Sequence, residues 1–275
     1  MTQTLLTLDP VLHLLAAAGY LLTFVLLLLR TIFGFKVGKA AMWMGILALS
    51  IHVAGIAARW TALGHLPVVT MYDNLSWYAV AVAAIGSYLM IRRAPLWQVG
   101  LVLYPSAFAT LVWGLYTGPR VEYLPPTFSG IWFVMHVAFY YVSFGAAVAA
   151  LGASVFFLWR PADGSKMASR IPDLTELDRL AYKFAGLTFA FWGFGMLTGS
   201  VWAFSAWGRY WAWDPIETWS LVTWLILGLY LHLRRFYAWK DAKAAWLYLL
   251  SFVFVLVALF ASSLFMDTIH AVYFQ

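Results

Sequence analysis

Recurring long apolar runs limit this chain more than any other feature. A hydrocarbon core of ~30 Å takes roughly 20 helical residues to cross. Runs of that order recur at 11–29, 40–58, 74–91, 96–116, 128–159, 184–202, 218–233 and 244–266. Backbone groups in lipid must pair within their own segment, which makes these runs helices. None alternates with the period of two that a membrane barrel needs. Hydrophobic residues make up 64% of the chain and charged residues 10%, more apolar surface than a soluble fold of this length can hide. The sequence therefore predicts an all-α, polytopic membrane helix bundle of about eight transmembrane helices, forming a single membrane domain over 1–275. Pro105 should kink the fourth span. The fifth is longer than a bilayer requires, so it should tilt or protrude.

Charge predicts the orientation. Arg30, Lys36, Lys39, Arg92, Arg93, Arg160, Lys166, Arg170, Arg179, Lys183, Arg234, Arg235, Lys240 and Lys243 fall on one side of the runs. Arg59, Arg120 and Arg209 fall on the other. By the positive-inside rule the first side is cytoplasmic, and both termini lie on the outer (periplasmic or lumenal) side. The net charge of +6 reflects this bias and implies no nucleic-acid partner. The start lacks the basic region of a cleavable signal peptide, so the first span is expected to insert as an anchor. With no cysteine, the chain supplies no disulfide, thiolate metal ligand or thiol nucleophile. The longest polar stretch, 160–183, contains "PDLTELDRL" and reads as a short surface helix. The outer loops, 59–74, 117–130, 203–217 and 267–275, are apolar for exposed segments and are expected to pack together or lie in the interface.

One of these loops is unusual. "WGRYWAWDPIETW" (207–219) gathers Trp207, Trp211, Trp213 and Trp219 beside Gly208, Asp214 and Glu217. An aromatic belt explains scattered tryptophans at a membrane interface, but accounts less well for such a cluster on one loop. Asp214-Pro215-Ile216-Glu217 also reads as a helix start: an N-cap, a proline at the first helical position and a capping-box glutamate. Asp214 can therefore begin the seventh span and still serve a site.

Histidines add a second signal. His13, His52, His65, His136 and His270 lie toward the outer side, and only His232 lies near the inner one. His136 sits roughly 9 Å below the outer end of the fifth span, at 1.5 Å per residue. Ionisable residues at membrane depth are functional candidates, although each alone could be a satisfied core histidine. Haem combines these needs. Its iron takes neutral imidazole axially, its porphyrin wants apolar and aromatic walls, and its propionates want cationic partners, for which Arg59, Arg120 and Arg209 are the outer arginines.

"WGRYWAWDPIETWSLVTWLILGLYLHLR" closely resembles the tryptophan-rich WWD motif of haem-handling proteins, in the form found in the CcsA/ResC family of cytochrome c biogenesis (System II). "HVAGIAARWTALGHLPVVTMYDNLSW", "MHVAFYYVSFGAAVAALGASVFFL" and "LDRLAYKFAGLTFAFWGFGMLTGSVWA" are similar to other segments of that family, so the resemblance covers most of the chain beyond residue 50. It departs at Ile216, where the family usually has lysine, at "YDN" for "YES", and in the run before His270.

The resemblance implies the haem-handling subunit of a cytochrome c synthase (haem lyase). Haem b would be both substrate and ligand, carried from the inner side to an outer WWD site and joined by thioethers to the CxxCH motif of an apocytochrome c. It implies a CcsB/ResB partner and a bacterial plasma membrane, or a thylakoid membrane if the chain is plastid-derived. His136 and His270 look like the outer axial pair, and His232 like the inner ligand. Trp207, Gly208, Trp211, Trp213 and Asp214 look like the cofactor-binding loop, with Arg59 and Arg209 as polar partners. His52 and His65 are secondary candidates. As the only inner-side histidine, His232 would need a second ligand from another chain if haem is bis-histidine-ligated there. The alternatives are a haem-delivery protein of the CcmC type, against which eight spans argue; an electron-transfer b-type cytochrome, which would need an inner histidine pair; and a non-catalytic membrane assembly factor.

Overall fold

The computed structural model describes residues 2–92, 94–160, 165–166, 168–262 and 266. Among them the secondary structure is entirely helical. Among the described residues, eight helices are long and apolar enough to cross a membrane. They are α1 (Thr2–Phe33), α2 (Gly38–Leu63), α3 (Met71–Arg92), α4 (Gly100–Thr117), α5 (Ile131–Trp159), α6 (Leu174–Trp207), α7 (Pro215–Phe236) and α8 (Ala242–Leu256), the last running on through a π turn, Val257–Ala261.

Two expectations are refined. The fourth span is one helix that continues through Pro105, and its irregular part is the 3₁₀ stretch Ala94–Val99 ahead of it. "PDLTELDRL" is not a separate surface helix but the start of α6. Asp173 Oδ1 accepts the Glu176 backbone N–H at 2.7 Å and opens the helix. The buried stripe Leu177, Leu180, Ala181, Phe184 then carries it without a break into the apolar run. His270 and the last outer segment, 267–275, lie outside the described residues.

The chain divides into two compact units. The first holds α1–α4 with 159–176, and the second holds most of α5 and α6 with α7 and α8. No linker in the sequence marks the division. In the first unit small residues set the spacing. A Cβ on Gly19 would sit 2.6 Å from the Ala48 side chain, so α1 and α2 pack closely there. In the second unit α5 is buried on all sides over 146–150, as expected of a helix apolar all round. Hydroxyl groups tie its neighbours to it and to each other: Ser143 Oγ donates to Thr188 O (2.9 Å) and Tyr248 Oη to Ala147 O (3.1 Å), while Thr223 Oγ1 on α7 donates to Phe254 O on α8 (3.0 Å). Leu14, Leu15, Leu197 and Leu225 are exposed. Their helices can accept lipid there.

Candidate functional site

His136 lies in the second turn of α5. Its Nδ1 is 2.8 Å from Gly195 O on α6. A carbonyl only accepts, so Nδ1 carries the proton and Nε2 is the basic nitrogen. Metal-binding histidines are commonly oriented this way. The ring fits because α6 has no side chain opposite it. A Cβ on Gly199 would meet Nδ1 at 2.3 Å, and one on Gly195 would meet the Tyr140 ring at 2.9 Å. Gly195 and Gly199, four residues apart on α6, thus cut a groove for His136 and Tyr140, four apart on α5. Beneath them Tyr140 Oη donates to Ser220 Oγ at 3.2 Å, and Trp192 Nε1 donates to Ser220 O at 3.1 Å. This draws α5, α6 and α7 together under the histidine.

Aromatic rings continue outward from the histidine. The His136 ring stacks on Trp202 with centroids 5.7 Å apart, and Trp202 meets Trp207 edge-on at 4.9 Å. Trp202 Nε1 donates to Thr127 O at 2.7 Å, which fixes the indole against the segment leading into α5. The structure therefore joins His136 to the first tryptophan of the loop through Trp202, a residue the sequence reading passed over.

The loop itself is built around a carboxylate. Gly208, at φ +72°, ends α6 in the left-handed region. Glu217 Oε2 accepts from the backbone N–H of Ala212 at 2.7 Å and of Asp214 at 3.4 Å. Asp214, 7% exposed, accepts from the Ile216 N–H at 3.2 Å and forms the expected capping box with Glu217. Trp213 lies between these anchors at φ +58° and is 69% exposed. A bulky residue is rarely held in that region. Trp211 meets Trp213 edge-on at 5.8 Å, and among the described residues its buried Nε1 has no hydrogen-bond acceptor. Arg209 is exposed on the same loop.

His232 stands near the other end of α7, about 26 Å along the helix from Pro215 at 1.5 Å per residue. It is exposed, with Phe236 and Tyr237 at centroid distances of 4.7 and 5.9 Å. Its neighbour Arg234 is paired with Asp178 of α6.

Arg59, His52 and His65 belong to the first unit. The Arg59 guanidinium, expected to face propionates, is 2% exposed and has other partners. Nε donates to Asp73 Oδ1 (2.5 Å), Nη1 to Asp9 Oδ2 (3.3 Å) and Nη2 to Arg120 O (2.7 Å). His52 is fully buried, with Nδ1 3.0 Å from Tyr20 Oη and Nε2 2.9 Å from Ser76 Oγ. Ser76 Oγ is also 2.8 Å from His13 Nε2, and His13 Nδ1 is 2.9 Å from Asp9 Oδ1. One proton per bond satisfies the series with both imidazoles neutral: Tyr20 donates to His52, His52 to Ser76, Ser76 to His13, and His13 to Asp9. His52 is thus a satisfied core histidine. The ring nitrogens of His65 lie 3.0 Å from Leu66 O and 3.2 Å from Glu122 O, so it ties two loops together.

A family model described as cytochrome C assembly protein matches residues 12–270. The chain is 28% identical over 257 residues to the cytochrome c biogenesis protein CcsA of Prochlorococcus marinus strain AS9601, covering 83% of each protein. It is also 28% identical over 227 residues to CcsA of Chlamydomonas reinhardtii, covering 78% of this chain but 63% of that protein, less than two thirds of its length. Among solved structures, the cytochrome c heme lyase CcmF superposes with a TM-score of 0.70 at 18% identity. That match covers 98% of this chain and 48% of the other, and is a likeness of fold.

Proposed function

The chain belongs to the cytochrome c assembly protein family, and from that premise we propose that it is the haem-handling subunit of a cytochrome c synthase. It takes haem b as substrate, moves it across the membrane and presents it at an outer tryptophan-rich site for thioether attachment to the CxxCH cysteines of an apocytochrome c. It works with a CcsB/ResB-type partner, in a bacterial plasma membrane or a thylakoid membrane. The site and both termini lie on the outer side, as the Lys/Arg bias indicates.

The observation that carries this reading is the setting of His136. Its Nδ1 is held by Gly195 O, which leaves Nε2 as the basic nitrogen suited to iron, and its ring stacks on the Trp202 indole that leads into the loop. The loop suits a porphyrin edge. Trp207, Trp211 and Trp213 supply flat apolar surface, and Trp211 Nε1, buried without an acceptor among the described residues, suits a propionate carboxylate. Arg209, exposed beside it, adds a cation. His270 is the second outer ligand and His232 the inner one in this scheme. The chain needs no nucleophile of its own. Holding a vinyl group against a thiol in a dry, oriented site is catalysis by proximity, and haem supplies the reactive vinyl groups.

The test is the His136→Ala variant, alone and combined with His270→Ala, expressed with a CcsB-type partner and a CxxCH reporter. The wild-type complex should show the absorption of imidazole-ligated haem and mature the reporter. The variants should insert normally yet lose both. Unchanged haem content and maturation in the double variant would remove the outer-ligand assignment.

A further inference from the structure

A cavity opens in the first unit, at the end of α1 that carries the basic residues. Its volume is about 500 Å³, within the size range of ligand sites. Arg30, Lys36 and Arg170 line it with Gly34, Phe35 and Gln98. Among the described residues, no carboxylate lines it. Three cations converging without an acid would repel one another unless an anion sat between them.

The arrangement is built rather than incidental. Arg170 Nη1 donates to Thr31 O at 3.1 Å and Ile32 O at 2.8 Å. This fixes the guanidinium and offsets the negative carbonyl end of α1. Gly34, at φ +78°, leaves room for it; a Cβ there would meet Arg170 Nη2 at 2.4 Å. Gln98, 3% exposed, donates through Nε2 to Arg170 O and holds the segment that carries Arg170. Arg30 lies over the Trp97 ring at 4.3 Å, and among the described residues its buried Nη1 has no acceptor.

We infer that this cavity is a binding site for the headgroup of an anionic phospholipid such as phosphatidylglycerol. Arg30, Lys36 and Arg170 take the phosphate. Basic pockets between transmembrane helices at the inner interface are suited to such headgroups. The flank favours a lipid over a free phosphate ion. Ile32, Phe33 and Phe35 are exposed beside the cavity, with the two phenyl rings 5.9 Å apart, where acyl chains need an apolar contact. Haem fits less well, because among the described residues no histidine lines the cavity and Phe35 is the one aromatic side chain that does.

The experiment uses the full chain in phosphatidylcholine nanodiscs doped with phosphatidylglycerol. Native mass spectrometry reads the retained lipid after release from the disc. Wild type should retain phosphatidylglycerol in preference to phosphatidylcholine. Arg30→Gln and Lys36→Gln should each weaken retention about fivefold, the effect of one cation near an anionic headgroup. Lys36 is exposed, so its variant decides the matter if Arg30→Gln folds poorly. Equal retention of both lipids, or no change in Lys36→Gln, overturns the inference. So does displacement of phosphatidylglycerol by inorganic phosphate at equal concentration, or a loss of bound haem in Arg30→Gln with lipid retention unchanged.

Discussion

A single methyl group at position 199 tests where His136 sits. The Cβ of Gly199→Ala would lie 2.3 Å from the imidazole Nδ1, so the ring must turn and give up Gly195 O. Overpacking of this kind costs about 1–3 kcal/mol. Helix content by circular dichroism should stay the same while haem retained at the outer site falls, because ligand direction suffers more than the fold. Haem retention equal to wild type would separate His136 from that site. Arg59 calls for the opposite pattern. It is buried between Asp9 and Asp73, so Arg59→Leu leaves two carboxylates uncompensated and should cost roughly 3–5 kcal/mol. A thermal-melt assay in detergent should show that loss, while haem per folded molecule holds; a stable variant with depleted haem would return Arg59 to the propionates. The sequence carried His136 as an ionisable residue at membrane depth. It also carried the groove, as two glycines four apart in "GFGMLTG", a small-xxx-small pattern. Arg59 was not readable in this way, because its partners Asp9 and Asp73 lie far from it along the chain and each looks like an ordinary helix-end acid.

The connection between α6 and α7 shows which local signals survive in a sequence and which do not. Asp214-Pro215-x-Glu217 announced the start of α7, because capping chemistry is local and the spacing is fixed. The same glutamate also gathers Ala212 N–H and therefore shapes the loop before the helix, which no capping rule describes. The left-handed backbone of Trp213 was equally hidden, since nothing in an indole favours it. "PDLTELDRL" misled for a related reason. Its polar residues suggest a free surface segment, yet Asp178 within it pairs with Arg234 of α7, and Leu177 and Leu180 already follow the stripe of α6. Glu217→Ala should therefore act on the loop more than on the helix. Losing the carboxylate that accepts from two backbone N–H groups and half a capping box costs about 1–2 kcal/mol, a modest change in melting temperature. Cytochrome maturation should drop much further, because Trp211 and Trp213 lose their fixed positions. Glu217→Gln, which keeps an acceptor oxygen, should recover most of it. If Ala and Gln variants matured cytochrome equally well, the glutamate would matter only as a cap.

On the scale of the whole molecule, the number of spans was legible because lipid demands long uninterrupted apolar helices. The division into two units was not, since neither is announced by a linker and both are made of the same kind of helix. What links the two proposed haem positions is a single element of the second unit. α7 begins at the capped tryptophan loop and carries His232 about 26 Å further on, close to the ~30 Å thickness of a hydrocarbon core. If haem loads at His232 and is then presented beside His136, the two ends of α7 act in series, and damage at the first must appear at the second. His232 is exposed, beside the Phe236 and Tyr237 rings at its own helix end, so His232→Ala should leave folding intact. It should lower haem at the outer site as well as the inner one, in the presence of the partner and with His136 and His270 unchanged. Exogenous imidazole should restore part of the loss, because a neutral nitrogen ligand is all the alanine lacks. Haem per protein and reporter maturation, measured with and without imidazole, decide between transport and local attachment. Full outer loading in His232→Ala would mean that haem reaches the tryptophan loop by another route, with the inner histidine lying in a basic rim of the kind that inner helix ends usually carry.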